Sequence, residues 1–173
     1  MPNLSMSTHP ADSFAEVRAH DQVMRYRRAG TGRPILILRA SHEVEPLWAE
    51  LDEALVNAFR VLTPDVPRAE VDVAAWMRGF LEGVGLDRVT LIAEDSLCIA
   101  ALEMALLNVD QVERMVLIPA GHSSETGLDG TLATSLAGVV VPLLVIRRGL
   151  SAAEAVPLLM QFLEQGNTTP AAG

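Results

Sequence analysis

Two kinds of apolar spacing follow one another along this chain. Ile35 to Leu38 and Val89 to Ala93 are unbroken apolar runs closed by polar residues, the pattern of strands buried on both faces. Leu47, Trp48, Leu51, Leu55 and Phe59 instead recur every three or four residues, which predicts a helix from Pro46 to Phe59. Val73, Trp76, Met77, Phe80 and Leu81 predict a second helix over Val71 to Val84, and Ile99 to Leu107 and Ala153 to Leu163 give two more. Strand patterns occupy Val61 to Asp65, Met115 to Ile118 and Leu143 to Ile146. Upstream, Phe14 to Arg18 and Gln22 to Arg28 read as a hairpin turning at His20 and Asp21, and Gly30 to Pro34 as a further turn. Strand and helix thus alternate, so the expected class is α/β: a mostly parallel sheet with helices on both faces. The expected plan is an N-terminal tail and first strand over 1–18, a single domain over 19–166 and a flexible tail over 167–173.

Composition narrows the picture. With 173 residues, 50% of them hydrophobic, and a mean hydropathy of +0.28, the chain suits one domain with a sizeable core. Its net charge is −9 and every basic residue is an arginine, which disfavours general binding to nucleic acid or to an acidic membrane surface. A neutral or anionic small molecule held by particular arginines stays open. Cys98 is the only cysteine, so no intramolecular disulfide is expected and a reducing cytoplasm fits; on its helix it reads as a small core residue. Residues 1–13 are polar, contain Pro2 and Pro10 and carry no apolar secretory segment, and no run is long enough to span a bilayer.

Candidate chemistry concentrates where Val89 to Ala93 gives way to a helix. The segment Ala93-Glu94-Asp95-Ser96-Leu97 resembles the nucleophile elbow of the α/β-hydrolase superfamily. There, Gly-x-Ser-x-Gly, or Gly-x-Asp-x-Gly in the dehalogenase and epoxide-hydrolase branches, lifts a nucleophile above the sheet on a sharp strand-to-helix turn. On that resemblance Asp95 takes the nucleophile position, and Leu97 replaces the second small residue. Other pieces follow in family order between about Gln22 and Gln165. Pro34 to Ala40 resembles the strand that supplies oxyanion-hole amides, with Arg39 where the family has histidine. Phe59 to Pro67 resembles the next strand and its Pro-Asp turn, Val112 to Ala120 the strand after the elbow, and Val141 to Arg147 the strand that usually precedes the catalytic acid.

The departures from the family are equally informative. Between Ala120 and Val139 a Gly/Ser/Thr-rich connection stands where a helical lid is commonly inserted. After Arg148 the chain enters its final helix through Gly149 to Ser151, and no histidine follows His122. A Ser/Asp-His-acid relay needs a base within hydrogen-bond reach of the nucleophile or its water. The resemblance therefore implies a shortened, catalytically degenerate member in which the usual esterase, lipase or dehalogenase relay is not expected.

Ligands of parallel sheets bind beyond the carboxyl ends of the strands. The residues expected there form a polar rim of Arg39, His42, Asp65, Glu94, Asp95, His122 and Arg148, with Asp95 between Arg39 and His122 if the family strand order holds. Asp95 is the candidate nucleophile or base; its alternative is a structural ion pair or a residue tolerating a strained turn. His122 is the candidate substitute base, with a solvated loop histidine as the alternative. Arg39 offers its fork of donors to a carboxylate, phenolate or enolate oxygen, or else pairs with Asp65, Glu94 or Asp95. His42, Glu94, Ser96 and Arg148 complete the candidate substrate-binding set. His42, Glu43 and Glu45 lack a second pair at ligand spacing and no glycine-rich nucleotide motif occurs, so neither a metal nor a cofactor is expected. Without a further strand, Leu143 to Ile146 would be an apolar sheet edge, so a homodimer is expected, paired along that edge or by helices over an open mouth. Three function classes follow: binding of a small hydrophobic or anionic molecule with a non-hydrolytic acid/base step, a non-catalytic module that associates with a partner protein, and hydrolysis with Asp95 as nucleophile.

Overall fold

The computed structural model describes residues 13–19, 21–40, 46–67, 72–119, 136–147 and 149–165. Within them seven strands form one sheet: β1 (Ser13–Ala19), β2 (Gln22–Ala29), β3 (Pro34–Leu38), β4 (Arg60–Pro64), β5 (Val89–Glu94), β6 (Val112–Ile118) and β7 (Leu143–Val145). Their spatial order is β1-β2-β4-β3-β5-β6-β7. β1 and β2 make an antiparallel hairpin, β2 runs antiparallel to β4, and every pair from β4 to β7 is parallel. The helices α1 (Pro46–Ala58), α2 (Val73–Val84), α3 (Leu97–Leu107) and α4 (Ala152–Glu164) lie between and after the strands. The α/β class expected from the alternating patterns is the one observed. α3 begins at Leu97, two residues before the predicted start, because Ser96 already has helical backbone angles (φ −62°, ψ −22°).

Period-two alternation in the central strands divides the core between the two faces of the sheet. Ile35, Ile37, Ile92 and Val116 pack with Trp48, Leu51 and Leu55 of α1 and with Ala155 and Leu159 of α4. Leu36, Leu38, Leu91 and Met115 point the other way, toward Met77 and Phe80 of α2 and Ala101 and Leu102 of α3. On the second face Tyr26 of β2 meets Phe80 edge-on at 5.3 Å and Trp76 stacks on Phe80 at 5.9 Å, which anchors the hairpin to α2.

Local signals set the helix ends. Asp72 accepts a hydrogen bond from the amide of Ala75 (2.9 Å) and starts α2. Gly85, left-handed at φ 69°, ends it: the Gly85 and Leu86 amides donate to the carbonyls of Glu82 and Leu81. α4 has no basic residue in its own last turn, and two distant arginines serve instead. Arg33 donates to the carbonyl of Leu163 (2.7 Å) and Arg114 to that of Phe162 (3.2 Å), tying α4 to the start of β3 and to β6. Gly30 is required by a close approach: a Cβ there would lie 2.2 Å from the Phe59 carbonyl oxygen.

Candidate functional site

β5 is buried along its whole length and is paired in register with β3 on one side and β6 on the other, Leu38 opposite Ala93 and Ile118 opposite Glu94. The chain then reverses sharply into α3. Asp95 is the pivot, with a left-handed backbone at φ 52°, and only one other described non-glycine residue, Asp21, has a positive φ. Its amide continues the ladder by donating to the Ile118 carbonyl (3.0 Å), and its own carbonyl accepts from the Cys98 amide (3.2 Å) as the helix begins. An L-residue in this conformation is uncommon, and aspartate is among those that adopt it most readily. Asp95 is half-buried at the carboxyl end of the central strand, where the sequence places it, and in the strained turn that the elbow pattern implies.

Leu97 is itself buried in the core, with the small residues Cys98 and Ala101 of the same helix almost fully enclosed. The Cys98 thiol donates to the Ala93 carbonyl at 3.3 Å. Burial pushes this thiol up from an ordinary value of 9.0 to about 12, with the charges of Asp95 and Glu94 acting in the same direction.

Glu94 takes a different position from the solvent-facing rim. It is 2% exposed, and one carboxylate oxygen accepts a 2.7 Å hydrogen bond from the Trp48 indole N–H of α1. The other lies 3.7 Å from Nε of Arg39, whose guanidinium sits 4.7 Å from the centre of the Trp48 ring. Of the three carboxylates weighed as partners for Arg39, this buried one is the ion pair observed. Arg39, Glu94 and Trp48 thus form a unit joining β3, β5 and α1 immediately behind the elbow. Trp48 was legible only as a helix core position. The signal for its polar role was the period of β5: Ile92 faces α1, so Glu94 two residues later faces α1 as well.

A groove of about 260 Å³ opens beside this unit, over the ends of β2, β3 and β4 on the α1 side. Arg39 and Trp48 form one wall, Thr63 and Asp65 another, and Phe14 of β1 contributes an apolar rim. Arg27 and Asp52, joined by two hydrogen bonds of 2.7 and 2.9 Å, brace its side. Asp65 is exposed and Ser96 is exposed at the start of α3. Of the predicted site residues, Arg39 and Glu94 touch each other, and Asp95 and Ser96 follow Glu94 on the elbow. His42, His122 and Arg148 lie outside the described residues, as do the two predicted tails. Among the described residues no three His, Cys, Asp or Glu side chains gather as a metal site, and no helix is long and apolar enough to cross a membrane.

The sheet order, the crossover helices and the strand-turn-helix elbow together define the α/β-hydrolase fold. Solved structures similar to the chain have this fold. A bacterial membrane phospholipase A, a virulence factor, superposes with a TM-score of 0.57 at 19% identity over 66% of this chain and 42% of its own. An epoxide hydrolase gives 0.53 at 24% identity, covering 65% and 46%. A haloalkane dehalogenase loop variant from Bradyrhizobium elkanii gives 0.55 at 14% identity, covering 73% and 50%. Uncharacterised proteins of Mycobacterium tuberculosis and Mycobacterium bovis are 28% identical over 113 residues, or 59% of this chain and 33% of theirs. The chain therefore spans about a third of the length of these relatives. No family model matches the sequence.

Proposed function

We propose that this α/β-hydrolase-fold protein binds a small hydrophobic or weakly anionic molecule at the carboxyl edge of its sheet, with Asp95 acting on it as a general base in a non-hydrolytic step. The observation that carries the reading is the left-handed Asp95 at the tip of β5. Strain of this kind is retained where the surrounding structure holds a functional group in place. The groove of Arg39, Trp48 and Thr63 supports the binding half, since it offers an aromatic wall, a guanidinium and a hydroxyl, and its Arg39 is the ion-pair partner of Glu94 next to the elbow. One positioned carboxylate suffices for proton transfer, so the step does not require the family's nucleophile relay. The single buried thiol suits a reducing cytoplasm as the place of action.

A direct test is a calorimetric screen of aromatic and aliphatic acids, lactones and enolisable ketones, followed by proton–deuterium exchange on each binder. Asp95→Asn should keep the binding and lose the exchange. A protein that binds none of these compounds, or an Asn variant that exchanges at the wild-type rate, would refute the proposal, and the first result would favour a non-catalytic protein-binding module.

A second reading has its own support. The elbow geometry is also that of a covalent carboxylate nucleophile, and two of the similar structures are an epoxide hydrolase and a haloalkane dehalogenase. In that reading Asp95 forms an ester with the substrate. Intact-mass measurement after incubation with epoxides, alkyl halides or activated esters distinguishes the two, because only the nucleophile leaves an adduct that Asp95→Asn abolishes.

A further inference from the structure

We infer that β1 is an isologous pairing edge, by which two copies of the chain join their sheets antiparallel about a two-fold axis through Val17. β1 is one end of the sheet and pairs only with β2 among the described residues. Its pairing parity decides what it offers. Ala19 is opposite Gln22, so two residues separate the closing pair, and a two-residue hairpin closes on a mutually hydrogen-bonded pair. Hydrogen bonding to β2 therefore falls on Ser13, Ala15, Val17 and Ala19. Phe14, Glu16 and Arg18 direct their backbone N–H and C=O groups away from β2, to the side where no described strand pairs with β1.

One antiparallel register would satisfy all three of these residues, and a second would satisfy Glu16 and Arg18 while leaving Phe14 beyond the end of the other copy's strand. In one, Glu16 faces Glu16 of the other copy, placing like charges directly opposite. In the other, shifted by two, Glu16 faces Arg18 and Arg18 faces Glu16, while Val17 meets Val17 on the axis. Opposite charges face each other twice, so charge selects the second register. Both side chains are exposed on the same face, and Glu16 already lies 3.6 Å from Arg25 of β2, so the pairing would extend an existing row of alternating charges. Phe14 and Val23, exposed on that face at 77% and 54%, flank the row with apolar surface. The opposite end of the sheet is a poorer template: β7 is only three residues long. The inference thus sets the homodimer contact at β1, in place of the expected pairing at the β7 edge or over the mouth of the sheet.

Charge reversal with mixing tests the inference. Glu16→Arg places guanidinium groups opposite one another at both symmetry-related positions, and Arg18→Glu does the same with carboxylates. In sedimentation velocity the wild-type chain should dimerise, each variant alone should dimerise about tenfold more weakly, and an equimolar mixture should recover dimers by pairing unlike chains. Far-ultraviolet circular dichroism of each variant checks the fold. Hydrogen exchange adds a second readout, since the Glu16 and Arg18 amides should gain protection as concentration rises while the Val17 amide is protected throughout. A wild-type chain monomeric at millimolar concentration overturns the inference. So does a dimer indifferent to both substitutions, or variants that show no rescue on mixing.

Discussion

The elbow can be tested by exchanging the sign of a glycine effect between two adjacent residues. At Asp95 the backbone is left-handed, and an alanine there carries the full conflict between its Cβ and the neighbouring carbonyl, about 1–2 kcal/mol. Glycine avoids that conflict but leaves the unfolded chain freer, at a cost of about 0.4–1 kcal/mol. The first effect is larger, so Asp95→Gly should be about 1 kcal/mol more stable than Asp95→Ala, or about 2–4 °C in melting temperature for a domain of this size. Asp95→Asn should stay near the wild type, since asparagine tolerates this region. At Ser96, with right-handed angles, the order should reverse: Ser96→Ala should exceed Ser96→Gly by about 0.5–1 kcal/mol. Urea denaturation of the five variants, read by circular dichroism with slopes compared, measures both differences. An Asp95→Ala variant as stable as Asp95→Gly would show that Asp95 is not held left-handed in solution. The case for a strained, positioned carboxylate would then fail.

Three further outcomes are expected. Glu94→Ala removes the buried partner of both Arg39 and the Trp48 indole and should cost about 3 kcal/mol in urea denaturation, whereas Glu94→Gln keeps an acceptor for the indole and should cost less; a loss below 1 kcal/mol for the alanine variant would count against the buried unit. Replacing Arg33 and Arg114 together with alanine should speed amide exchange in the last turn of α4 while leaving α2 and α3 unchanged, and uniform exchange across the helices would contradict the clamp. Cys98 should resist Ellman's reagent in the native state at pH 8. Because its folded pKa is raised, its favourable contribution is complete below 9.0 and is lost as pH rises toward about 12; stability there should fall by up to about 1.4 kcal/mol per pH unit more steeply than in Cys98→Ala, and parallel curves would refute the assignment.

The elements were legible because their signals are local. The hairpin was set by two β-patterned runs around a two-residue turn, and it is observed as β1 and β2 with Asp21 at φ 60°. The elbow was legible because an all-apolar strand, a chemical residue and a helix stand in immediate succession. What was not legible depends on which side chains different elements bring together. Trp48 and Glu94 are 46 residues apart, and the helical pattern around Trp48 is explained by burial alone. The groove joins residues of β1, β2, β3, β4 and α1, and no spacing rule links Phe14 to Asp65. Arg27 and Asp52 were not distinguished from other surface charges, because only the antiparallel placement of β2 beside β4 carries Arg27 under α1.

The Arg39–Glu94 pair also limits what the groove can hold. A ligand anion that drew Arg39 away would take the cationic partner from a buried carboxylate that the Trp48 indole also holds, at a cost of about 3 kcal/mol. A part-exposed ion pair with the ligand returns about 1 kcal/mol at most. The buried pair therefore wins, so under the proposed function Arg39 would meet a ligand without leaving Glu94. Trp48 enforces this, since the guanidinium is stacked on the same indole whose N–H holds the other carboxylate oxygen. Under the proposed function, flat, weakly charged groups should therefore bind in preference to compact dianions such as phosphate. Glu94 adjoins Asp95, so the wall of the groove and the left-handed turn that carries the Asp95 carboxylate share one support.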